Sequence, residues 1–178
     1  MSTQPNPEGG FVRLALPAEA SRVAELQRDA WQARGVAGSL PDPDEATSLW
    51  TTAILRPPLA SYRVLVALDA SKTVLTGFAA LGPSDDPDAE PRDAMVGEFA
   101  VAAGHRREGH GSRLLQALVD TLRADGFERV TWWLASTDDT LRAFLLGAGW
   151  APDGAHREIG TEDGSLRLKQ TRMHTGIA

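Results

Sequence analysis

Arg106, Gly109 and Gly111 fall in an Arg-x-x-Gly-x-Gly run, with Arg107, Glu108, His110 and Ser112 filling the rest of the turn. Residues 95–101 ahead of it are mostly apolar and read as a buried strand. Behind it, Leu114, Leu115, Leu118 and Leu122 recur at helical spacing. The first amides of a helix have no acceptor within the helix and sit at the positive end of its dipole. Glycine has no Cβ, so a ligand can approach such a turn closely. A strand, a glycine turn and a helix start therefore suit a phosphate group. Arg106 and Arg107 add guanidinium groups that grip phosphate oxygens in pairs. A plainer role, a glycine turn that only lets strand and helix pack, fits the same residues. Two other phosphate motifs are excluded, because there is no Gly-Lys-Ser/Thr and no Gly-x-Gly-x-x-Gly.

The elements that position this turn follow from the rest of the chain. At 178 residues it has the length of one compact domain with a full core. We expect residues 1–10, rich in Pro, Gly and polar side chains, to form a flexible tail, and 11–178 to form a single domain. A strand is expected at 11–16, a helix opened by Pro17 through 34, and a helix at 44–55 stopped by Pro57-Pro58. Strands follow at 62–68 and 74–81, then an acidic, solvated loop at 83–93. After the organising strand and helix come a strand at 129–135 and a helix at 140–148, with Asp138 or Asp139 as its N-cap. A hairpin of 155–159 and 166–174 around Asp163-Gly164 closes the chain.

Composition removes several classes of function. A net charge of −6 argues against a nucleic-acid binder, which would show a basic face, and is compatible with a small cationic substrate. There is no cysteine, which excludes disulfides, a thiol nucleophile and cysteine metal clusters. Acyl transfer would then go directly to the acceptor or through another nucleophile. The first ten residues lack a basic region and an apolar stretch, and no apolar run reaches membrane-spanning length. A cytoplasmic protein with no membrane partner is expected. The acidic residues of the 83–93 loop lack calcium-loop spacing, and the four histidines lack metal-ligand spacing, so no metal is expected and the histidines read as solvated surface.

The turn and its setting resemble the coenzyme A signature of the GNAT acetyltransferase superfamily, [Gln/Arg]-x-x-Gly-x-[Gly/Ala] after a core strand. The expected order, β-α-α-β-β-β-α-β-α-β-β, is also that of the GNAT fold, a mixed-sheet α/β (α+β) architecture. The resemblance covers nearly all of residues 11–174. A second motif, Asn-x-x-Ala-x-x-Phe-Tyr-x-x-x-Gly-Phe, is matched at Phe144, Gly149 and Trp150, with Asp138 in the asparagine place and Leu145 in the tyrosine place.

What the resemblance implies is an N-acetyltransferase that moves an acetyl group from acetyl-CoA, as co-substrate, to a small-molecule or peptide amine by direct attack in a ternary complex. It implies that Arg106, Arg107, Glu108, Gly109, His110, Gly111 and Ser112 hold the pyrophosphate, that the backbone of Phe99, Ala100 and Val101 pairs with the pantetheine arm, and that Asp138 and Phe144 belong to the second cofactor motif. Strand alternation puts Glu98 and Ala100 on one face, toward the acceptor, and Phe99 and Val101 on the other. Glu98 is then the candidate general base, with a purely structural glutamate as its plain alternative. A tyrosine at position 145 would serve as general acid; leucine has no proton to give, and Tyr62 is the only tyrosine in the chain. Ser136, Thr137, Thr140 or water are left as donors. Adjacent Trp132 and Trp133 face opposite sides, Trp132 the core and Trp133 either the core or the acceptor, while Trp31 and Trp50 read mainly as core. An acyl-CoA-binding or sensing module without turnover is the alternative function. Family members often form dimers, so a homodimer is among the states the resemblance allows.

Overall fold

The computed structural model describes residues 10–178. The expected tail otherwise lies outside the described residues. The elements are β1 (Phe11–Leu14), α1 (Ala20–Ala33), α2 (Pro43–Leu55), β2 (Arg63–Leu68), β3 (Leu75–Pro83), β4 (Asp93–Val101), α3 (His110–Ala124), β5 (Arg129–Ala135), α4 (Asp139–Gly147), β6 (Ala151–Gly160) and β7 (Arg167–Gly176). Their order is the one the sequence predicts. The strands form one seven-stranded mixed sheet in the order β1-β2-β3-β4-β5-β7-β6. The β4–β5 pair is parallel, with Asp93 opposite Arg129 and Val96 opposite Trp132. The β5–β7 and β6–β7 pairs are antiparallel, and a register shift interrupts the latter between Pro152 and His156.

Helix limits follow local chemistry. Pro17–Glu19 forms a 3-10 turn, and the α-helix begins only at Ala20. The Asp42 side chain caps α2, accepting from the amides of Asp44 and Glu45 at 3.0 Å each. At the end of α3, Gly126 takes φ +90°, and the amides of Gly126 and Phe127 return to the carbonyls of Arg123 and Leu122. Asp138 caps α4, accepting from the Leu141 amide at 3.0 Å.

The chain divides into two compact units. One comprises the described residues up to Ala80 together with Glu98–Asp120; the other comprises Leu81–Gly97 and Thr121–Ala178. In the first, Val23 and Leu26 of α1 pack with Val64, Val66 and Leu68 of β2, Leu75 and Phe78 of β3, and Ala100 of β4. Burial of each such Leu, Val or Phe side chain stabilises the fold by about 1.5–3 kcal/mol. In the second, Val130, Leu145 and Met173 are fully buried, and Trp132 meets Trp150 edge to face at 5.9 Å.

The loop between β3 and β4 is not the solvated loop expected from its composition. Asp86 and Asp88 both accept from the Arg172 guanidinium, at 3.0 and 2.7 Å to Nη1, and Asp153 accepts from its Nε at 2.6 Å. Arg172 is buried, so its charge requires these carboxylates. Arg129 extends the network to Asp93 and Asp153 at 3.0 and 2.9 Å, and donates to His174 Nδ1 at 3.1 Å.

Candidate active site

β4 and the start of α3 bring the sequence-predicted turn together within the first unit. After Val101 the chain makes a 3-10 turn at Ala103–His105, and Arg106 is extended. Arg107 and Gly109 then take left-handed backbone, at φ +65° and +82°. Positive φ is ordinary for glycine but costs an arginine of order 1 kcal/mol, which the rest of the turn must offset. Helix α3 begins at His110, so Gly111 lies in its first turn rather than before it. Arg106, Arg107, Glu108, Gly109 and Ser112 are exposed, whereas His110 is buried.

His110 is thus not the solvated histidine expected. Its Nε2 lies 3.1 Å from the Glu108 carboxylate, and His105 Nδ1 lies 3.0 Å from the same oxygen. These two imidazoles hold the Glu108 carboxyl below the usual range. Arg113 donates to the Glu108 carbonyl at 3.0 Å and to His110 Nδ1 at 3.2 Å. His105, Glu108 and His110 bring three ligand-type atoms within 4.8 Å of one another, a grouping their sequence spacing does not announce. Arg113 argues against a metal there. A guanidinium only donates, so His110 Nδ1 is the acceptor and Nε2 carries the proton. Nε2 then presents hydrogen, not a lone pair, toward Glu108.

Glu98 is the second feature of the first unit. Its Oε1 accepts from Gln27 Nε2 at 2.9 Å and from Trp31 Nε1 at 3.1 Å; Oε2 takes the other arm of the Trp31 N–H at 3.2 Å. Burial pushes the carboxyl above the usual glutamate range, while the Gln27 and Trp31 bonds and the Arg34 charge pull it back. The face of β4 that carries Glu98 and Ala100 is covered by α1, since Ala100 packs in the apolar cluster with Val23 and Leu26. Trp31 and Trp50 are half buried, Trp50 packs against the apolar cluster as its reading as core implies, and both indole N–H groups donate to polar partners. Val101 and Phe99 are half buried on the other face.

In the second unit, Asp138 acts through its cap and Phe144 is half buried on α4. Leu145 is fully buried, an apolar packing residue with no donor. Trp133 is half buried and already partnered. Its N–H donates to Asp86 at 2.9 Å, and the Arg157 and Arg172 guanidinium groups lie 4.2 and 5.4 Å from its ring centroid. Asp86, Asp153, Arg157 and Arg172 were missed as a group because they are remote in sequence and meet only through the sheet. Among the described residues no helix is long and apolar enough to cross a membrane.

The sequence profile of the acetyltransferase (GNAT) family matches residues 21–149, a span that runs through both units. The chain belongs to this family. Over 107 residues it is 37% identical to a mycothiol acetyltransferase from Kineococcus radiotolerans, covering 60% of this chain and 33% of that protein. The chain thus spans about a third of that relative's length. Among solved structures it resembles an N-acetyltransferase from Staphylococcus aureus Mu50, with TM-score 0.75, 16% identity, and 96% and 99% of the two chains covered. It also resembles a GCN5-related N-acetyltransferase from Kribbella flavida, at TM-score 0.70 and 25% identity over 96% and 99%. A third, an acetyltransferase structure from Salmonella typhimurium with its cofactor acetyl-CoA, aligns at TM-score 0.72 and 20% identity over 96% and 95%.

Proposed function

We propose that the protein transfers the acetyl group of acetyl-CoA to a primary amine in a ternary complex. The observation that carries this is the turn itself, where left-handed Arg107 and Gly109 lead directly into α3 with two arginines exposed. The donor set fits an anion: Arg106, Arg107, the amides from Gly109 to Ser112, and the α3 dipole. Glu108 is the one like charge on the turn, and its carboxylate is drawn toward His105 and His110. The pairing of β4 with β5 covers residues 93–96, and the backbone of Phe99, Ala100 and Val101 lies beyond it on β4. By family resemblance this backbone takes the pantetheine arm, with the Val101 amide toward the thioester oxygen. The family resemblance also assigns Asp138 and Phe144, on the second motif, to cofactor binding.

Glu98 accepts the proton of the attacking ammonium, directly or through water. The freed nitrogen lone pair forms the C–N bond, the C–S bond breaks, CoA leaves as the thiolate, and the second nitrogen proton passes to that thiolate or to solvent. An alkylammonium with a pKa near ~10.4 needs such a base, whereas a thiol near ~8.5 leaves with little help. Leu145 gives no proton, so Ser136, Thr137, Thr140 or water supplies one, or the thiolate departs unprotonated.

Cleft-forming loops choose the acceptor, and small amines and peptide amines are both within the class. The mycothiol acetyltransferase relative favours a small molecule. We read the protein as one domain over residues 11–178, cytoplasmic, with a homodimer among the states the family resemblance allows and no metal, membrane or nucleic-acid partner. The test is calorimetric titration with acetyl-CoA, followed by thiol release with spermidine, tyramine and L-lysine as acceptors. Binding that collapses in Arg106→Ala supports the cofactor assignment. Binding without thiol release from any amine favours the sensing module. No binding at millimolar acetyl-CoA overturns both.

A further inference from the structure

Glu98 is held by a chain of neutral donors. Gln27 and Trp31 are four residues apart on α1 and so share one face, which they turn toward β4. Gln27 Oε1 accepts from Trp50 Nε1 of α2 at 2.9 Å. An indole N–H only donates, so Trp50 dictates which end of the Gln27 amide faces which neighbour. With the amide oxygen committed to Trp50, the NH2 is left for Glu98. The chain therefore runs from Trp50 to Gln27 to Glu98, and Trp31 closes it from the other side.

We propose that Gln27 and Trp31 are positioning residues that keep the Glu98 carboxylate ionised and in one orientation for proton transfer, with Trp50 fixing the Gln27 amide. The proposal rests on the reading of Glu98 as the base. Neutral donors suit that task. A cation bonded directly to the carboxylate would stabilise the ion so far that it became a poor base, whereas amide and indole N–H groups offset burial in part. The charged group that acts on Glu98 is Arg34, at the end of α1. The two oxygens also differ. Among the described residues, Oε1 takes two donors, and Oε2 takes only the longer arm of one shared N–H. Oε2 is accordingly the atom left to receive the proton.

The assignment is tested on the full-length protein labelled with carboxyl-13C glutamate. The Glu98 resonance, identified by its loss in Glu98→Gln, is followed against pH in the wild type, Trp31→Phe, Gln27→Met and Trp50→Phe. Removing a hydrogen bond to an ionised group raises the midpoint by about one pH unit in each of the first two variants. Trp50→Phe leaves both donors in place and raises it by less. An unmoved midpoint, or a raised midpoint with no matching shift in the pH profile of thiol release, marks a purely structural role and overturns the proposal. Acetyl-CoA titration of the same wild-type sample separates the two readings. Failure to bind defeats the proposed function and this assignment with it; binding with an unmoved midpoint defeats this assignment alone.

Discussion

Gly109 lies under the guanidinium of Arg113: a Cβ at position 109 would stand 3.0 Å from Arg113 Nη1. The same glycine holds φ +82°, so a side chain there meets both a strained backbone and an occupied space. Gly111, in the first turn of α3, has no positive φ. The two glycines therefore separate by experiment. Gly109→Ala lowers unfolding free energy by about 1–2 kcal/mol, measured in urea. Gly111→Ala leaves stability within about 1 kcal/mol of wild type, because alanine suits a helix, and weakens acetyl-CoA binding by crowding the phosphate approach. Equal behaviour of the two variants in both assays would contradict the division.

Glu108 is the carboxylate on the turn proposed to bind the cofactor's phosphates, so neutralising it improves that site. Glu108→Gln tightens acetyl-CoA binding by roughly fivefold at low ionic strength. The gain shrinks as salt rises, since the side chain is exposed and its field is screened. Calorimetry at two salt concentrations checks both statements; weaker binding in the variant would show instead that the His105–Glu108–His110 contacts hold the turn in shape.

Glu98 sets a pH dependence of definite sign. Its carboxyl is raised in the fold by burial, so its folded state favours the proton more than the unfolded chain does. The favourable contribution is complete below the unfolded value, near ~4.3, and is lost as pH rises through the higher folded value. Glu98→Gln, which stays neutral, therefore gains in melting temperature relative to wild type as pH rises above about 4. In the same variant acetyl transfer falls by about 10²–10⁴-fold with acetyl-CoA binding unchanged. A carboxylate that serves only as structure would leave turnover intact.

Arg172 carries the opposite dependence. Its side chain is 6% exposed, against 7% for Asp86 and 8% for Asp153, so Arg172→Met strands buried carboxylates and costs about 3–5 kcal/mol at neutral pH. Asp88 is lowered to about 2 by its bond to Arg172. Depressed carboxylates stabilise the fold above their unfolded value and lose that contribution as pH falls through the folded one. The penalty of Arg172→Met consequently narrows from about pH 4 toward pH 2, as followed by denaturation at each pH.

Element order was legible because each element carries its own local signal. Leu114, Leu118 and Leu122 are fully buried on α3, and Asp138 caps α4 as its position implied. The turn was legible for the same reason, since Arg106 to Gly111 are contiguous. What stayed hidden depends on residues far apart in the chain. Nothing near Glu98 announces Gln27 or Trp31, and an acidic run such as that holding Asp86 and Asp88 looks solvated until Arg172 is brought against it. The burial of His110 likewise follows from helix phase on α3, which a turn-centred reading overlooks.

The interruption in the β6–β7 register reaches beyond the hairpin. β6 is a rim strand of the sheet, and a bulged rim with Pro152 and left-handed Gly154 offers a poor template for another strand. The other rim, β1, has only four residues. Among the described residues, the bulged β6 rim and the short β1 rim therefore offer less free backbone for edge-to-edge growth between molecules than long, flat strands would.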